Sequence, residues 1–411
     1  MIDLDQATAR AVTALAETAE AEPGLQELLA AAGDCEADAS ARRTALRLLG
    51  ALAGEAFVGP RIVHLDVIGV CNANCIYCRD HSPYIRDREP WRLMEMPYDL
   101  AVRLVDEAVA LGAELLPIVG AGENLLHTRF ADLITHLKRQ PIDFELYTNG
   151  LGWGDEVIAL FTDAARAKIT FSLSAATPET WAAFRPEMRP ELYDGIETSI
   201  RRLVERRAAG PRVGIVHVLN KLNVREVLPM IRRAIDLGVD EVQYKLTEMN
   251  DAAQPLKLGA PEAESIRLEM REARRLAALA GVDIHDNIEF QLDHLDLDSG
   301  LYTPGLYDRL PCFAGFEMIR VRRDGALSFC CGLKFFGNAN HMSLADHWFG
   351  EPMRAARRAG IAMPGGANYR LPDGGLLRDS QCDFCYNYIF NRAYLDSARE
   401  AGVAHLLAER E

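Results

Sequence analysis

Through residue 58 the apolar positions recur at helical spacing. ATARAVTALAETAEAE and ARRTALRLLGALAGEAF carry Ala and Leu on one stripe, the pattern of an amphipathic helix packed by one face. EPG and GDCEADAS interrupt them, so 1–58 is expected to be a helical extension that caps the neighbouring domain. From residue 59 the texture changes. RIVHLDVI, ELLPIVG, FELYTNG, KITFSLS, RVGIVHVL and VDEVQYKL alternate with helical stretches such as LAVRLVDEAVALG and VREVLPMIRRAIDLG. Six β-runs, each followed by a helix, predict parallel strands with helical crossovers over 59–295. An incomplete barrel and an open doubly wound sheet both fit that pattern. In the barrel case, ligands collect at the C-terminal ends of the strands.

Past residue 300 the alternation stops. FEMIRVR and ALSFCC read as short strands around the turn RRDG, and GNAN, PGGAN and PDGG read as glycine-rich loops. A small α+β segment is therefore expected over 305–395, then a C-terminal helix over 396–411.

Composition narrows the setting. The 411 residues are 49% hydrophobic and 26% charged, ordinary for a globular chain with two or three cores. A net charge of −15 speaks against nucleic-acid and anionic-membrane partners and favours neutral or cationic substrates. No apolar run approaches the roughly 20 residues that span a bilayer. MIDLDQATAR lacks the basic start and apolar core of a signal peptide, so a cytoplasmic location is expected. Nine cysteines is an odd number, and in a reducing compartment clustered thiols point to metal or redox chemistry.

Three of those thiols, Cys71, Cys75 and Cys78, fall in GVCNANCIYCRD, directly after the first β-run. A structural zinc site wants four ligands in a closed tetrahedron. Three thiolates suit a [4Fe–4S] cluster with one iron left open for a substrate or cofactor to chelate.

CNANCIYC, with the aromatic Tyr77 before the third cysteine, resembles the signature of the radical S-adenosylmethionine (radical SAM) enzymes. The resemblance continues along 60–290. GAGEN after the second β-run (Gly120, Gly122, Glu123) is similar to the family's GGEP-type motif, with Asn124 in place of proline. The third run ends in Thr148-Asn149-Gly150. FSLSAATPETWAAFRP resembles the segment that meets the carboxylate and ribose of SAM, with Ser172 matching and Ser174 where aspartate is frequent. Arg185 falls where related enzymes carry an arginine for the SAM carboxylate. The resemblance implies a partial (β/α)6 TIM-like barrel. It implies SAM contacts at Tyr77, Gly120, Gly122, Glu123, Asn149, Ser172, Ser174 and Arg185, and a flavodoxin- or ferredoxin-type reductant. Bound SAM would be cleaved to a 5′-deoxyadenosyl radical that takes hydrogen from substrate.

The other cysteines lie mostly in the last hundred residues. Cys382-x2-Cys385, joined to Cys312 and Cys330 around the hairpin, makes a plausible four-thiolate site. The order of these cysteines, with FGNANHMSLADHW between them, resembles the SPASM and twitch extensions of radical SAM enzymes. That resemblance implies one auxiliary [4Fe–4S] cluster on Cys312, Cys330, Cys382 and Cys385, with Cys331 spare or exchanging with Cys330. A zinc ribbon is the alternative.

The resemblance further implies a dehydrogenase of a small polyol or amino sugar in natural-product (antibiotic) biosynthesis, the auxiliary cluster taking the second electron. A radical epimerase using Cys331 or Cys35, a ribosomal-peptide maturase and a purely structural zinc or iron protein are the alternatives. A dehydrogenase needs a base. Strand alternation nominates His64 and Asp66 on the first run and Lys245 on the sixth, with Glu248 just past its end. Gln243 shares the lumen face with Lys245, and His217 is left facing either way.

Overall fold

The computed structural model describes residues 1–85, 90–332, 334–366 and 368–408. The chain begins with α1 (Leu4–Ala19), α2 (Pro23–Gly33) and α3 (Ala39–Ala53), then β1 (Ile62–Leu65), α4 (Tyr98–Ala110) and β2 (Leu115–Ile118). The alternation continues through α5 (Phe130–Leu137), β3 (Asp143–Thr148), α6 (Asp155–Phe161), β4 (Ala167–Ser172), α7 (Pro178–Ala183) and α8 (Leu192–Arg206). Next come β5 (Arg212–Leu219), α9 (Val227–Leu237), β6 (Glu241–Leu246), α10 (Ala260–Ala280), β7 (Asp283–Asp286) and α11 (Ile288–Asp293). The remainder is α12 (Ala314–Glu317), β8 (Met318–Val321), β9 (Ala326–Ser328), β10 (Phe335–Asn338), α13 (Leu344–Phe349), α14 (Glu351–Ile361), α15 (Tyr388–Glu400) and α16 (Ala404–Ala408).

Two compact units emerge. One comprises Met1–His64, Val102–Leu116 and Gly305–Glu411, the other Leu65–Ala101 and Pro117–Pro304. The first carries the strand order β10-β9-β8-β1-β2, with β8, β9 and β10 antiparallel. Its core forms because α1 presents Ala7, Ala11, Leu15 and Ala19 on one face, towards Leu46 and Leu49 of α3. Asp3 caps α1 by accepting from the N–H groups of Asp5 and Gln6, and Asp38 caps α3 in the same way. Gly54 ends α3 in the left-handed region at φ 69°. Phe313, Phe316 and Tyr394 complete this cluster, each large side chain contributing roughly 1.5–3 kcal/mol on burial.

In the second unit β3 to β7 run parallel in sequence order. The register aligns Phe171, Ile215, Val242 and Ile284 in one row and Ser172, Val216, Gln243 and His285 in the next. The first three of the former row are fully buried under the helices. The latter row lies on the opposite face, because side chains alternate along each strand. This mostly parallel α/β sheet accords with the partial barrel expected. Among the described residues, no helix is long and apolar enough to cross a membrane.

The structure departs from the sequence-based expectation at several edges. β7 is a seventh strand where six were expected. Its sequence DIHD has no apolar alternation and only exposed or half-buried residues, and it is a strand because it pairs with β6. Gly337 and Asn338, read as the start of a loop, belong to β10, whose register shifts between Phe335 and Gly337. In FEMIRVR the first two residues close α12, and in ALSFCC only Ala326–Ser328 is strand. The segment expected as one helix over 396–411 is the end of α15, a break at Gly402 (φ 71°) and α16, while 409–411 lie outside the described residues.

Candidate active site and auxiliary thiol site

Cys71, Cys75 and Cys78 lie half-buried on the loop after β1. Neighbouring strand ends hold that loop in place. The N–H of Gly122 donates to Ile68 O at 3.0 Å and that of Glu123 to Val70 O at 2.9 Å. A Cβ on Gly122 would lie 2.3 Å from Val70 O, so only glycine permits this approach. Asn149 at the end of β3 donates through Nδ2 to Asn72 Oδ1 at 2.8 Å and to Cys71 Sγ at 3.8 Å. Ile76 N donates to Phe184 O at 3.0 Å, and Asn250 Nδ2 to Tyr77 O at 3.4 Å. The N–H groups of Asp80 and His81 point at Cys78 Sγ, 3.4 and 3.3 Å away. Burial pushes the Cys71 thiol up to about 11 and the Cys78 thiol to about 12. Both stay protonated at neutral pH until a metal displaces the proton.

Glu123 uses its carboxylate inward. It accepts from Thr148 Oγ1 at 2.9 Å, Asn149 N at 2.7 Å and Leu125 N at 3.4 Å. Burial nevertheless pushes this carboxyl up to about 7 against the three donors. Asn124 fills the motif's proline position by donating to Ile118 O and Tyr147 O, tying β2 to β3. Ser174, at φ 55°, is the one non-glycine residue with positive φ among the described residues. Its carbonyl accepts from Asn223 Nδ2 at 2.8 Å, and Glu226 accepts from Ala176 N and Thr180 Oγ1, so the β5–α9 connection braces this turn.

Arg185 is the electrostatic centre of the group. It is 1% exposed, stacks 4.6 Å over the Trp181 ring and donates to Ser172 O at 3.2 Å and Trp181 O at 3.4 Å. Among the described residues no carboxylate pairs with it, and its Nε is buried without a hydrogen-bond partner. Both amide atoms of Asn74, between Cys71 and Cys75, are likewise unpartnered. Buried polar groups are costly to leave unsatisfied, so these are places where an anionic, polar cofactor fits. Tyr77 packs edge-on to Phe184 at 5.3 Å, its hydroxyl pushed well above the usual range by burial.

The four candidate bases differ sharply. Asp66 is fully buried, and a Cβ on Gly120 would lie 2.0 Å from its carboxylate oxygen, so it is packed directly against that glycine. His64 belongs to the other compact unit, and burial with nearby Arg320 pushes it down to about 3. Lys245 is half-buried on β6. Glu248 is more open, its side chain 45% exposed, and forms an ion pair with Arg79. His217 faces the helices: it stands opposite Tyr244, whose hydroxyl donates to Val227 O on α9 at 2.9 Å.

Five of the other six thiols gather in the first unit, while Cys35 is exposed beside Asp5. Cys312 precedes α12, Cys330 and Cys331 come just after β9, Cys382 lies in a short 3₁₀ turn (Ser380–Phe384) and Cys385 directly follows it. Each of Cys312, Cys330 and Cys385 is pushed up first by burial and then by neighbouring thiols of this set. Tyr307 donates its hydroxyl to Cys385 Sγ at 3.2 Å and receives Asn391 Nδ2 at 2.9 Å. Asn391 Oδ1 accepts from Phe313 N at 2.6 Å, and Cys331 donates to Asn387 Oδ1 at 3.3 Å. Lys334, almost fully buried, is paired with Asp379 and sits among the charges that pull Cys312 and Cys382 down. Among the described residues no three His, Cys, Asp or Glu side chains converge on a single ion. A cubane cluster asks for something different, thiolates distributed over its several irons.

Sequence reading missed Asn223, Glu226, Tyr307, Lys334, Asn387 and Asn391. A partial signal was present in CYNYIFN, where Asn387 and Asn391 stand one helical turn apart directly after the last cysteine.

Comparison with known proteins agrees with this layout. The model of the radical SAM superfamily matches residues 65–244, and that of the SPASM iron–sulfur cluster-binding domain matches 312–386. The tungsten-containing aldehyde ferredoxin oxidoreductase cofactor-modifying protein of Pyrococcus furiosus is 23% identical over 185 residues, 44% of this chain and 49% of that protein. The AdoMet-dependent heme synthase of Methanosarcina barkeri is 26% identical over 181 residues, 44% of this chain and 48% of that one. The chain thus spans about half the length of the curated relatives it matches. Among solved structures, Streptococcus suis SuiB bound to S-adenosylmethionine superposes with a TM-score of 0.58 at 14% identity, covering 85% of this chain and 79% of SuiB. Native anSMEcpe with bound AdoMet gives 0.54 at 13%, covering 86% and 100%. At such identities the likeness is one of fold.

Proposed function

This chain is a radical SAM protein with a SPASM extension, and from that footing we propose that it removes two electrons from a small polar substrate, a polyol or amino sugar. Cys71, Cys75 and Cys78 would hold the SAM-binding [4Fe–4S] cluster, and Cys312, Cys330, Cys382 and Cys385 one auxiliary cluster. When bound, these groups supply a hydrogen-abstracting 5′-deoxyadenosyl radical and an electron acceptor. The chain's own residues do the rest. Arg185 receives the SAM carboxylate, and Glu123 and Asn149 hold the thiol loop against β3. Glu248, ion-paired with Arg79 one residue beyond Cys78, takes the substrate's hydroxyl proton. Asp66, sealed behind Gly120, and His64, held down near 3, are poorer bases.

The observation that carries this reading is the surplus of thiols in the C-terminal set. Five cysteines supply more than the four ligands of a cubane, so no iron need be left open, and a site with no open iron suits electron transfer better than substrate binding. The relatives from P. furiosus and M. barkeri are named for work on cofactors, which supports a small molecule over a peptide. The net charge of −15 favours a cationic one.

The test is anaerobic turnover of the reconstituted protein with SAM, a flavodoxin-type reductant and a panel of aminocyclitols and polyols. Formation of 5′-deoxyadenosine together with a product lighter by two hydrogens is the expected result. A product of unchanged mass that takes deuterium from solvent at carbon would replace oxidation by epimerisation.

A further inference from the structure

Lys334 stands just before β10, across the turn that carries Cys330 and Cys331. Phe329 N donates to Lys334 O at 3.2 Å and closes that turn. The side chain is only 3% exposed, and its ammonium pairs with Asp379. Asp379 in turn opens the 3₁₀ turn of Cys382. Its Oδ1 accepts from Gln381 N at 2.9 Å and its carbonyl from Cys382 N at 3.0 Å. One ion pair therefore ties together two of the three segments that supply the C-terminal thiols.

The two ends of this pair are not equally hidden. Asp379 keeps 37% of its side chain exposed, against 3% for Lys334. Water screens the carboxylate, whereas the ammonium acts through protein of low dielectric. The thiols show the difference. Lys334 pulls Cys382 down more than the charge of Asp379 pushes it up, and it also pulls Cys312 down. Asp383 acts on Cys382 more weakly than either and has Arg378 beside it. The positive end of the pair thus faces the thiols and the negative end faces water.

We propose that Lys334 poises the auxiliary site to accept an electron, its buried ammonium stabilising the negative charge that reduction adds. The inference rests on the proposed reading of the C-terminal thiols as ligands of one auxiliary cluster, and the potentials of such clusters follow net charge and solvent exposure. One electron enters as the substrate radical is oxidised, the hydroxyl proton goes to the base, and Lys334 keeps its own proton throughout.

EPR redox titration of the full-length, reconstituted chain tests it, in a background of Cys71→Ala, Cys75→Ala and Cys78→Ala so that only the auxiliary cluster is read. That background should hold about four irons per chain, and none would overturn the auxiliary-cluster reading and this inference with it. Lys334→Gln removes the charge and should lower the reduced-to-oxidised ratio at fixed potential about tenfold, a fall of about 59 mV for one electron. Asp379→Asn keeps an oxygen for Gln381 N–H and should raise the same ratio, by about threefold. With about four irons retained, an unmoved potential in Lys334→Gln, or shifts of one sign in both variants, overturns this inference alone. Should Lys334→Gln lose its iron, Asp379→Asn decides: a raised potential supports the assignment, and an unchanged or lowered one refutes it. Loss of iron from both variants would make the pair a structural tie and refute it as well.

Discussion

The two thiol regions are built on opposite plans. Cys71, Cys75 and Cys78 come from one loop of eight residues, and the surrounding strands serve to hold that loop still. The C-terminal set is assembled from three distant segments; a hydroxyl and an amide oxygen meet two of its thiols, and the charge of a buried lysine acts on two others. Beside the loop is a buried guanidinium without a carboxylate among the described residues; beside the assembled set the buried cation, Lys334, already has its acid in Asp379. On the proposed reading, the loop takes in a ligand and the assembled set closes around a cluster. Local sequence suffices for the first plan, and only tertiary folding produces the second.

That contrast can be broken most forcefully at Arg185. Replacing it with Gln should weaken SAM binding about ten- to a hundredfold, the worth of one or two hydrogen bonds to a charged group. Equilibrium dialysis with labelled SAM checks this, and iron content should not change. Unaltered affinity would mean that the open site does not use its spare cation.

Ligand choice in the assembled set comes next. Cys330→Ala should lose about four irons per chain, whereas Cys331→Ala, whose thiol is held by Asn387, should keep them. The reverse result would exchange their roles. A smaller effect is expected at Tyr307. Removing its hydroxyl in Tyr307→Phe withdraws a hydrogen bond from the Cys385 thiolate, so the auxiliary cluster's potential should fall at constant iron content, read by EPR redox titration. An unchanged potential would make Tyr307 a packing residue only.

A further effect concerns pH. Glu123 in the folded chain is raised from 4.5 to about 7, chiefly by burial. The folded state therefore holds that proton more tightly than the unfolded one. This share of stability is complete below pH 4.5 and is lost as pH rises through about 7. Denaturant melts of wild type against Glu123→Gln should diverge over that range by on the order of 3 kcal/mol. Parallel curves would show that the carboxylate's three donors balance its burial.

Much of this was legible in the sequence, for identifiable reasons. The helices and central strands of the second unit announce themselves because their buried rows are apolar, as in Phe171, Ile215 and Val242. The CNANCIYC loop is legible because its ligands are neighbours in sequence. β7 was not, since DIHD becomes a strand through pairing with β6 and through no pattern of its own. Tyr307 was not either. It lies 78 residues from the cysteine it touches, and one tyrosine among 12 carries no mark of that contact. His217 could be oriented only once the register set it opposite Tyr244.

Position 120 has a practical consequence for anyone diversifying this protein. Most positions around a binding pocket yield to screening, because neighbouring side chains rotate away. Here the obstacle to a new Cβ is a fully buried carboxylate 2.0 Å away. Even alanine therefore has nowhere to go unless Asp66 shrinks with it. Single-site libraries should return glycine alone at 120, and new residues should appear there only in company with a smaller residue at 66. Such a paired escape would be a genetic signature that the two positions share one space.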